Sequence, residues 1–111
     1  MPTPGRPVRG SRTGRPIMAL LDLLGRRWVL RIMWELRTDA AGFRELQLRC
    51  SQMSPSVLSQ RLQELRRAEV IEVLHEQYRL TAEGRELLAV LAPLSAWAKR
   101  WAQRTGSRGQ V

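Results

Sequence analysis

Cysteine and long apolar runs are nearly absent from this chain of 111 residues. The single cysteine, Cys50, excludes an intrachain disulfide and fits a reducing compartment. The longest apolar stretch, Ile17 to Leu24, is interrupted by Asp22 and is far too short to cross a bilayer. Because no sustained apolar run precedes a cleavage site near the N-terminus, we expect no signal peptide. We therefore predict a cytoplasmic protein without membrane contact.

The residue patterns of catalytic and metal sites are also missing. The sequence holds no nucleophile–base pair, no glycine-rich phosphate loop and no paired-carboxylate pocket. His75 stands apart from any cluster of cysteine or aspartate, so we expect no metal site. These absences predict that the protein is not an enzyme and needs no cofactor.

Lysine is scarce, and acidic residues are outnumbered. Lys99 is the only lysine among 19 basic residues, against 10 acidic ones, which leaves a formal net charge of +9 and a pI of about 11.6. A small basic domain indicates a polyanionic partner, usually nucleic acid and sometimes an anionic membrane. Arginine suits phosphate and guanine recognition, although genome base composition also favours arginine over lysine. The length indicates one domain with a small core.

The two ends of the chain differ in composition from the middle. Residues 1–15 contain no acid and almost nothing to bury, which predicts a disordered basic arm. This arm is either a solvated tail or a segment lying along DNA, and its composition leaves both open. Residues 104–111 predict a basic C-terminal tail, so the folded domain is expected to span residues 16–103.

The stretch from Ser54 to Ala68 has the pattern of an amphipathic helix with a defined start. Ser54 suits the N-cap and Pro55 the first helical position. One face is an apolar stripe with i, i+4 and i+7 spacing: Leu58, Leu62 and Leu65. The opposite face carries hydroxyl, amide and guanidinium groups: Ser56, Gln60, Gln63 and Arg67, with Ser59 on the flank. These groups can reach base edges and phosphates in a major groove, although an ordinary solvated helix face has the same pattern.

Two short helices are predicted near the N-terminus. The first begins at Pro16 and ends at Gly25, with an apolar stripe of Ile17, Leu20, Leu21 and Leu24. Arg26 and Arg27 follow it and are expected to be solvated. The second helix spans Trp28 to Arg37, and its inner stripe is Val29, Ile32, Met33 and Leu36. Trp28, Leu30 and Trp34 widen its apolar surface, which predicts cover from its own domain and from a partner.

A third short helix, Phe43 to Cys50, is joined to the helix at Ser54 by a tight connection. Two helices joined in this way, with the second polar on its outer face, form a helix-turn-helix pattern. The residues from Val70 to Leu80 are strand formers, and Glu76-Gln77 is the only room for a turn, which predicts a small hairpin, or wing.

Thr81 is expected to cap a last helix. Its apolar residues step by four and three: Leu87, Leu91, Leu94, Ala98 and Trp101. Pro93 is expected to kink this helix or break it in two.

Four pieces of the sequence, in this order, resemble one family of regulators. They are "LDLLGRRWVLRIMWEL" (Leu21 to Leu36), "FREL" (Phe43 to Leu46), "SPSVLSQRLQELRRAEVIE" (Ser54 to Glu72) and "YRLTAEG" from Tyr78, followed by "LL" and "W" up to Trp97. This order resembles the HxlR-type transcriptional regulators, which are bacterial-type regulators related to the MarR type. The resemblance implies a mainly α fold with a small β-hairpin, a winged helix-turn-helix with extra N- and C-terminal dimerisation helices.

The resemblance also implies a function and a set of site residues. Family members are homodimers that bind a pseudo-palindromic operator in double-stranded DNA, with the helix at 54–68 in the major groove, which would associate the protein with the nucleoid. We expect base reading by Ser56, Ser59, Gln60 and Gln63. We expect phosphate contacts from Ser54, Arg66, Arg67, Arg44 and Arg79. Surplus apolar surface predicts a dimer interface of Ile17, Leu20, Leu21, Leu24, Trp34, Leu94, Trp97 and Trp101.

This chain departs from the family pattern in three places. The wing is shorter and carries an acid, Glu76; the cysteine that many members have before the first helix is replaced by Arg15-Pro16-Ile17; and Ser56 stands where relatives often have lysine. We expect Cys50 to be a buried, unreactive thiol. Arg61 lies beside the apolar stripe, so we expect it to pair with an acid such as Glu45. A winged-helix module that binds proteins instead of specific DNA remains the alternative function.

Overall fold

The computed structural model describes residues 15–106, which form five helices and one two-stranded antiparallel hairpin. The elements are α1 (Pro16–Leu24), α2 (Val29–Glu35), α3 (Phe43–Arg49), α4 (Pro55–Arg67), β1 (Ile71–Leu74), β2 (Gln77–Leu80) and α5 (Ala82–Thr105). The mainly α architecture with a helix-turn-helix and a wing is confirmed. The predicted N-terminal arm, apart from Arg15, lies outside the described residues, as do residues 107–111 of the predicted tail.

One apolar core holds the helix-turn-helix against the hairpin. The predicted stripes of α2 and α4 are confirmed, because each stripe residue is at most 2% exposed: Val29, Ile32, Met33, Leu36, Leu58, Leu62 and Leu65. Leu46 and Cys50 close the core from α3, and Ile71 and Leu80 close it from the hairpin. Burial of these side chains is the main stabilising contribution, at about 1.5–3 kcal/mol for each large apolar side chain.

The face of α1 that is buried in its own domain lies outside the apolar stripe assigned to the dimer interface. Ala19 and Leu23 are 7% and 4% exposed, whereas Ile17 and Leu21 are 53% and 52% exposed. Leu24 packs partly against the core. Helix α1 therefore packs on its own domain mainly through the i, i+4 pair Ala19 and Leu23. Part of the predicted stripe points away from that domain.

The start of α2 is set by an unusual backbone conformation. Trp28 has φ of 80°, in the left-handed region, and its side chain is half-buried against the core. Helix α2 therefore begins at Val29, one residue after the predicted start, and it ends at Glu35 instead of Arg37. A left-handed tryptophan is costly, so the core contact of its ring has to compensate for that strain.

The start of α4 has the predicted cap. The Ser54 hydroxyl accepts from the backbone N–H of Val57 at 3.5 Å, and Pro55 occupies the first helical position. The Gln47 side-chain amide donates to the Met53 carbonyl oxygen at 3.0 Å, which ties the connection between α3 and α4 to α3. The helix N-terminus is thus held by its own cap and by the helix before it.

The hairpin turns one residue earlier than predicted. Leu74 pairs with Gln77, which leaves His75 and Glu76 as the two turn residues, with φ of 52° and 62°. Positive φ at both positions is the geometry of a type I′ turn, whose twist matches the strands. Tyr78, within β2, also exchanges two backbone hydrogen bonds with Ala41, at 2.8 and 3.0 Å. This bridge fixes the hairpin to the segment before α3.

The junction between the hairpin and α5 is closely packed. The Thr81 hydroxyl accepts from the Gly84 N–H at 3.0 Å, which confirms the predicted cap, and it lies 2.6 Å from the Glu69 carbonyl oxygen, to which it donates. Gly84 is buried against the Val70 carbonyl, and a Cβ at this position would clash with that oxygen. A glycine is therefore needed where α5 leaves the hairpin.

Helix α5 runs unbroken through Pro93 as far as Thr105, so the division into two helices does not occur. Arg104 and Thr105, which fall within the predicted tail, belong to this helix, and Gly106 ends it with φ of 75°. At about 1.5 Å per residue, the helix is about 36 Å long. Its second half carries exposed apolar side chains. Within residues 15–106, no helix is long and apolar enough to span a membrane.

Candidate nucleic-acid interface

The four side chains predicted to read bases lie together on one exposed surface of α4. Burial of the leucine stripe fixes the rotation of the helix and turns this surface to solvent. We call it the outer face of α4, and its residues are Ser56, Ser59, Gln60 and Gln63, all exposed. Hydroxyl and amide groups on such a face can donate and accept, as major-groove base edges require.

Three exposed arginines lie on α3 and α4 in addition to this outer face. Arg66 and Arg67 occupy the last turn of α4, and Arg44 lies in the first turn of α3. All three are exposed, and none forms an ion pair within the described part of the chain. Their charges are therefore available to an anion in solution.

The two hydroxyl groups at the start of α4 are linked. Ser54 Oγ lies 3.0 Å from Ser56 Oγ, and both residues are exposed. Ser54 also accepts from the helix backbone, which uses one lone pair and leaves its proton and a second lone pair for Ser56 and another partner. A phosphate contact by Ser54 would leave its capping bond in place, because accepting at the oxygen and donating the proton use different parts of the hydroxyl.

The wing carries less available charge than the sequence suggests. Arg79 Nε donates to Glu72 Oε2 at 2.8 Å, and the two residues face each other directly across the strands. Both side chains are about half exposed, so the pair contributes little to stability and water screens it. A phosphate contact by Arg79 has to compete with Glu72.

Arg61 is paired with an acid, as predicted, but the acid is Glu64. Arg61 Nη1 lies 3.1 Å from Glu64 Oε1, and its Nε donates to the Arg27 carbonyl oxygen at 2.8 Å. Glu45, the predicted partner, pairs instead with Arg49, one turn along α3. Arg61 is thereby turned away from the outer face.

Arg26 is partly buried and ion-paired, whereas it was predicted to be solvated. Its Nη1 lies 2.7 Å from Glu64 Oε2 and its Nη2 lies 3.0 Å from Asp22 Oδ2. The pKa of Arg26 is raised overall. The hydrogen bond to Asp22 raises it most, burial lowers it, and the charge of Glu64 raises it further. Glu64 is only 7% exposed, and sequence reasoning assigned it no role. The i, i+3 spacing of Glu64 from Arg61 could have predicted that pair. The pairing of Glu64 with Arg26, 38 residues away, could not be predicted from local spacing.

The family model described as an HxlR-like helix-turn-helix matches residues 23–106, which include the whole helix-turn-helix, the hairpin and α5. The chain belongs to the HxlR-like family. It is therefore a helix-turn-helix transcriptional regulator and not an enzyme.

Individual relatives and solved structures are also transcriptional regulators. The uncharacterized HTH-type transcriptional regulator YvaP of Bacillus subtilis is 34% identical over 88 residues, which is 73% of this chain and 82% of YvaP. The crystal structure of quinone-bound YodB from Bacillus subtilis matches with a TM-score of 0.72 and 32% identity, over 76% of this chain and 96% of that one. A MarR-family regulator from Enterococcus faecalis V583 matches with a TM-score of 0.70 and 25% identity, over 88% and 98%.

The cysteine of this HxlR-like chain is a core residue. Cys50 is 0% exposed, and burial raises the pKa of its thiol, partly offset by the charge of Arg31. A buried thiol with a raised pKa is a poor nucleophile, because the thiolate is the reactive form. Its predicted burial is confirmed.

Most side chains of the predicted dimer interface are exposed in the single HxlR-like chain. Leu20 and Leu24 are partly buried, whereas the other six are between 44% and 59% exposed: Ile17, Leu21, Trp34, Leu94, Trp97 and Trp101. Trp34 differs from the rest because Arg37 covers its ring, with the guanidinium carbon 3.8 Å from the ring centroid. The apolar surface on α1 and α5 is therefore uncovered within one chain.

Proposed function

We propose that this regulator binds a specific pseudo-palindromic operator as a homodimer, with α4 of each subunit in the major groove. The observation that supports this most is the outer face of α4, where four polar side chains are exposed while the opposite leucines are buried. Such a helix can enter a groove without losing its core contacts.

The proposal divides the site into base contacts and phosphate contacts. Gln60 and Gln63 have the amide geometry for paired contacts to adenine, and Ser56 and Ser59 can serve either base type. Phosphate contacts come from positions that flank the face: Ser54, Arg44, Arg66 and Arg67. Arg79 joins them in complexes in which phosphate displaces Glu72 from its guanidinium.

The homodimer part of the proposal is supported by α1 and α5. Leu94, Trp97 and Trp101 project from the second half of α5, where its own domain offers little cover. Ile17 and Leu21 add apolar surface on α1. Apolar surface of this kind marks an interaction site in soluble proteins, and two-fold dimers are the most common homo-oligomers. A DNA-bound dimer also accounts for the expected cytoplasmic, nucleoid-associated location.

Selection of DNA by the purified protein tests this proposal. Random-sequence duplexes are incubated with the full-length protein, and the retained fragments are sequenced over several rounds. We expect an inverted repeat whose half-sites are separated by about one helical turn of 10–10.5 bp, or by a multiple of it. Retained fragments without a shared sequence would contradict specific recognition and would favour the protein-interaction module.

A further inference from the structure

A partly buried ion-pair network joins α4 to the corner between α1 and α2. Glu64 is its centre, with one carboxylate oxygen 2.7 Å from Arg26 and the other 3.1 Å from Arg61. Arg26 reaches on to Asp22 of α1 at 3.0 Å, and Arg61 binds the Arg27 carbonyl oxygen at 2.8 Å. We name this set, Asp22, Arg26, Arg61 and Glu64 with the Arg27 carbonyl, the corner network.

We propose that Glu64 is a positioning residue that fixes the orientation of α4 relative to α1, and that the corner network thereby contributes to DNA specificity. This inference rests on the proposed function of the outer face of α4. Glu64 itself is too deeply buried to touch DNA, so its effect has to pass through Arg26 and Arg61.

The core alone fixes α4 incompletely. Its leucine stripe is held by apolar burial, which is non-directional and tolerates small changes of tilt. Charge-assisted hydrogen bonds depend on angle and distance, and they are short in the corner network. The cap at Ser54 and the Gln47 contact hold the N-terminal end of α4, while Glu64 holds the helix three turns further on. The two anchors together define the direction of the helix axis.

The corner network also lies on the path from the uncovered surface of α1 to the outer face of α4. Asp22 follows the exposed Leu21 on α1, while Gln63 on the outer face precedes Glu64. The separation and angle between the two α4 helices of a dimer then depend on this link, because half-site spacing is a geometric property of the dimer.

The test compares two affinities of the full-length protein at one salt concentration, for the selected operator duplex and for a random-sequence duplex. Glu64→Gln removes a negative charge, so electrostatics alone would keep or raise both affinities. We expect the operator affinity to fall while the random-sequence affinity holds or rises, which lowers their ratio by about tenfold. A loss of folded protein would lower both affinities alike and leave the ratio unchanged.

Glu69→Gln is the matched control, since Glu69 is an exposed acid just beyond α4 with no side-chain ion pair among the described residues. Glu69→Gln removes the same charge as Glu64→Gln. We expect its ratio of operator affinity to random-sequence affinity to equal that of the unmodified protein. Arg26→Gln tests the network from the corner side and remains informative if Glu64→Gln does not fold. It should lower the ratio as Glu64→Gln does, whereas a simple phosphate contact would weaken both duplexes equally.

The double variant Arg26→Gln/Glu64→Gln completes the cycle. Its ratio should be no lower than that of either single variant, because both changes break one link. An unchanged ratio in a Glu64→Gln protein that keeps its random-sequence affinity, or additive losses in the double variant, would overturn the positioning role. If the unmodified protein does not distinguish the two duplexes, the proposed function fails as well. If it does, and folded Glu64→Gln keeps the ratio, this inference alone fails.

Discussion

Trp97 and Trp101 stack on successive turns of α5, with ring centroids 6.0 Å apart and planes inclined by 10°, yet they remain 48% and 44% exposed. Stacking of two neighbours on one helix orders both rings but covers little of their apolar area. The pair therefore presents an ordered apolar surface, and a binding partner would lose little further side-chain entropy by packing on it. Large, ordered aromatic side chains of this kind often contribute most of the binding energy at an interface.

We expect the protein to sediment as a dimer at micromolar concentration. The double variant Trp97→Ala/Trp101→Ala should raise the dimer dissociation constant by at least about tenfold, because truncated interface tryptophans commonly cost about 2 kcal/mol or more. Leu48→Ala is the control, since Leu48 is 60% exposed on α3, outside the proposed interface. A monomer in sedimentation, or equal effects of the two variants, would contradict the dimer.

The salt dependence of DNA binding should be steep. If about 4–8 phosphates are neutralised per dimer, the log–log slope of affinity against salt concentration should be roughly −4 to −7. Shift titrations of one duplex over a series of salt concentrations measure it. A slope near zero would exclude the phosphate contacts and favour a protein-interaction module.

The same titration separates the two interpretations of the basic arm. A variant without residues 1–14 loses three arginines, Arg6, Arg9 and Arg12. A flatter slope in this variant identifies a DNA-contacting arm, and an unchanged slope identifies a solvated tail.

Gly84→Ala should destabilise the fold. Its methyl group would clash with the backbone carbonyl group of Val70 and would also press against the Leu80 side chain. We expect a loss of about 1–3 kcal/mol in the free energy of unfolding, as for other overpacked sites. Gly42→Ala is the control, because a Cβ there meets the Glu76 carbonyl oxygen at an ordinary 3.7 Å. Equal stability of Gly84→Ala and the unmodified protein in urea titrations would contradict this close packing.

Cys50 should resist alkylation in the folded protein. Burial raises its pKa, so at neutral pH the folded state holds even less thiolate than a free cysteine, and the side chain has no exposed surface. Iodoacetamide labelling should be much slower in the native protein than in urea, measured by mass spectrometry. Native labelling at the rate of a free thiol would show that the core opens readily around α3.

Local patterns predicted the elements that carry their own signals. The cap at Ser54, the proline after it and the three leucines fixed the start and the buried face of α4, since all of these act within a few residues. The turn at His75 and Glu76 was misplaced by one residue because neither residue has the Asn-Gly chemistry that marks a type I′ turn.

Contacts between distant segments could not be predicted from the sequence. Arg26 and Glu64 meet only because the fold brings the segment after α1 beside α4. Ala41 pairs with Tyr78 only because the fold brings β2 beside the segment before α3. The sequence also did not show which residues of α1 its own domain buries, because apolar residues occur all along this helix and only packing selects Leu23 over Leu21.

Arg67→Ala should weaken binding to operator and random DNA nearly equally. Arg67 lies in the last turn of α4, where a helix in the groove usually leaves the base edges, so we expect it to bind a phosphate. The salt slope should decrease in magnitude by about one for each phosphate that the variant no longer neutralises. A selective loss of affinity for the operator would instead make Arg67 a base-reading residue.

The most direct test of the outer face as the reader of DNA is the affinity of Gln60→Ala for two duplexes, the selected operator and a random sequence. Gln60 is exposed at the middle of this face, so its truncation should leave the fold unchanged. We predict a loss of about 1–3 kcal/mol on the operator and a much smaller loss on random DNA. Equal weakening on both duplexes would contradict the account and would transfer specificity to DNA shape or to the N-terminal arm.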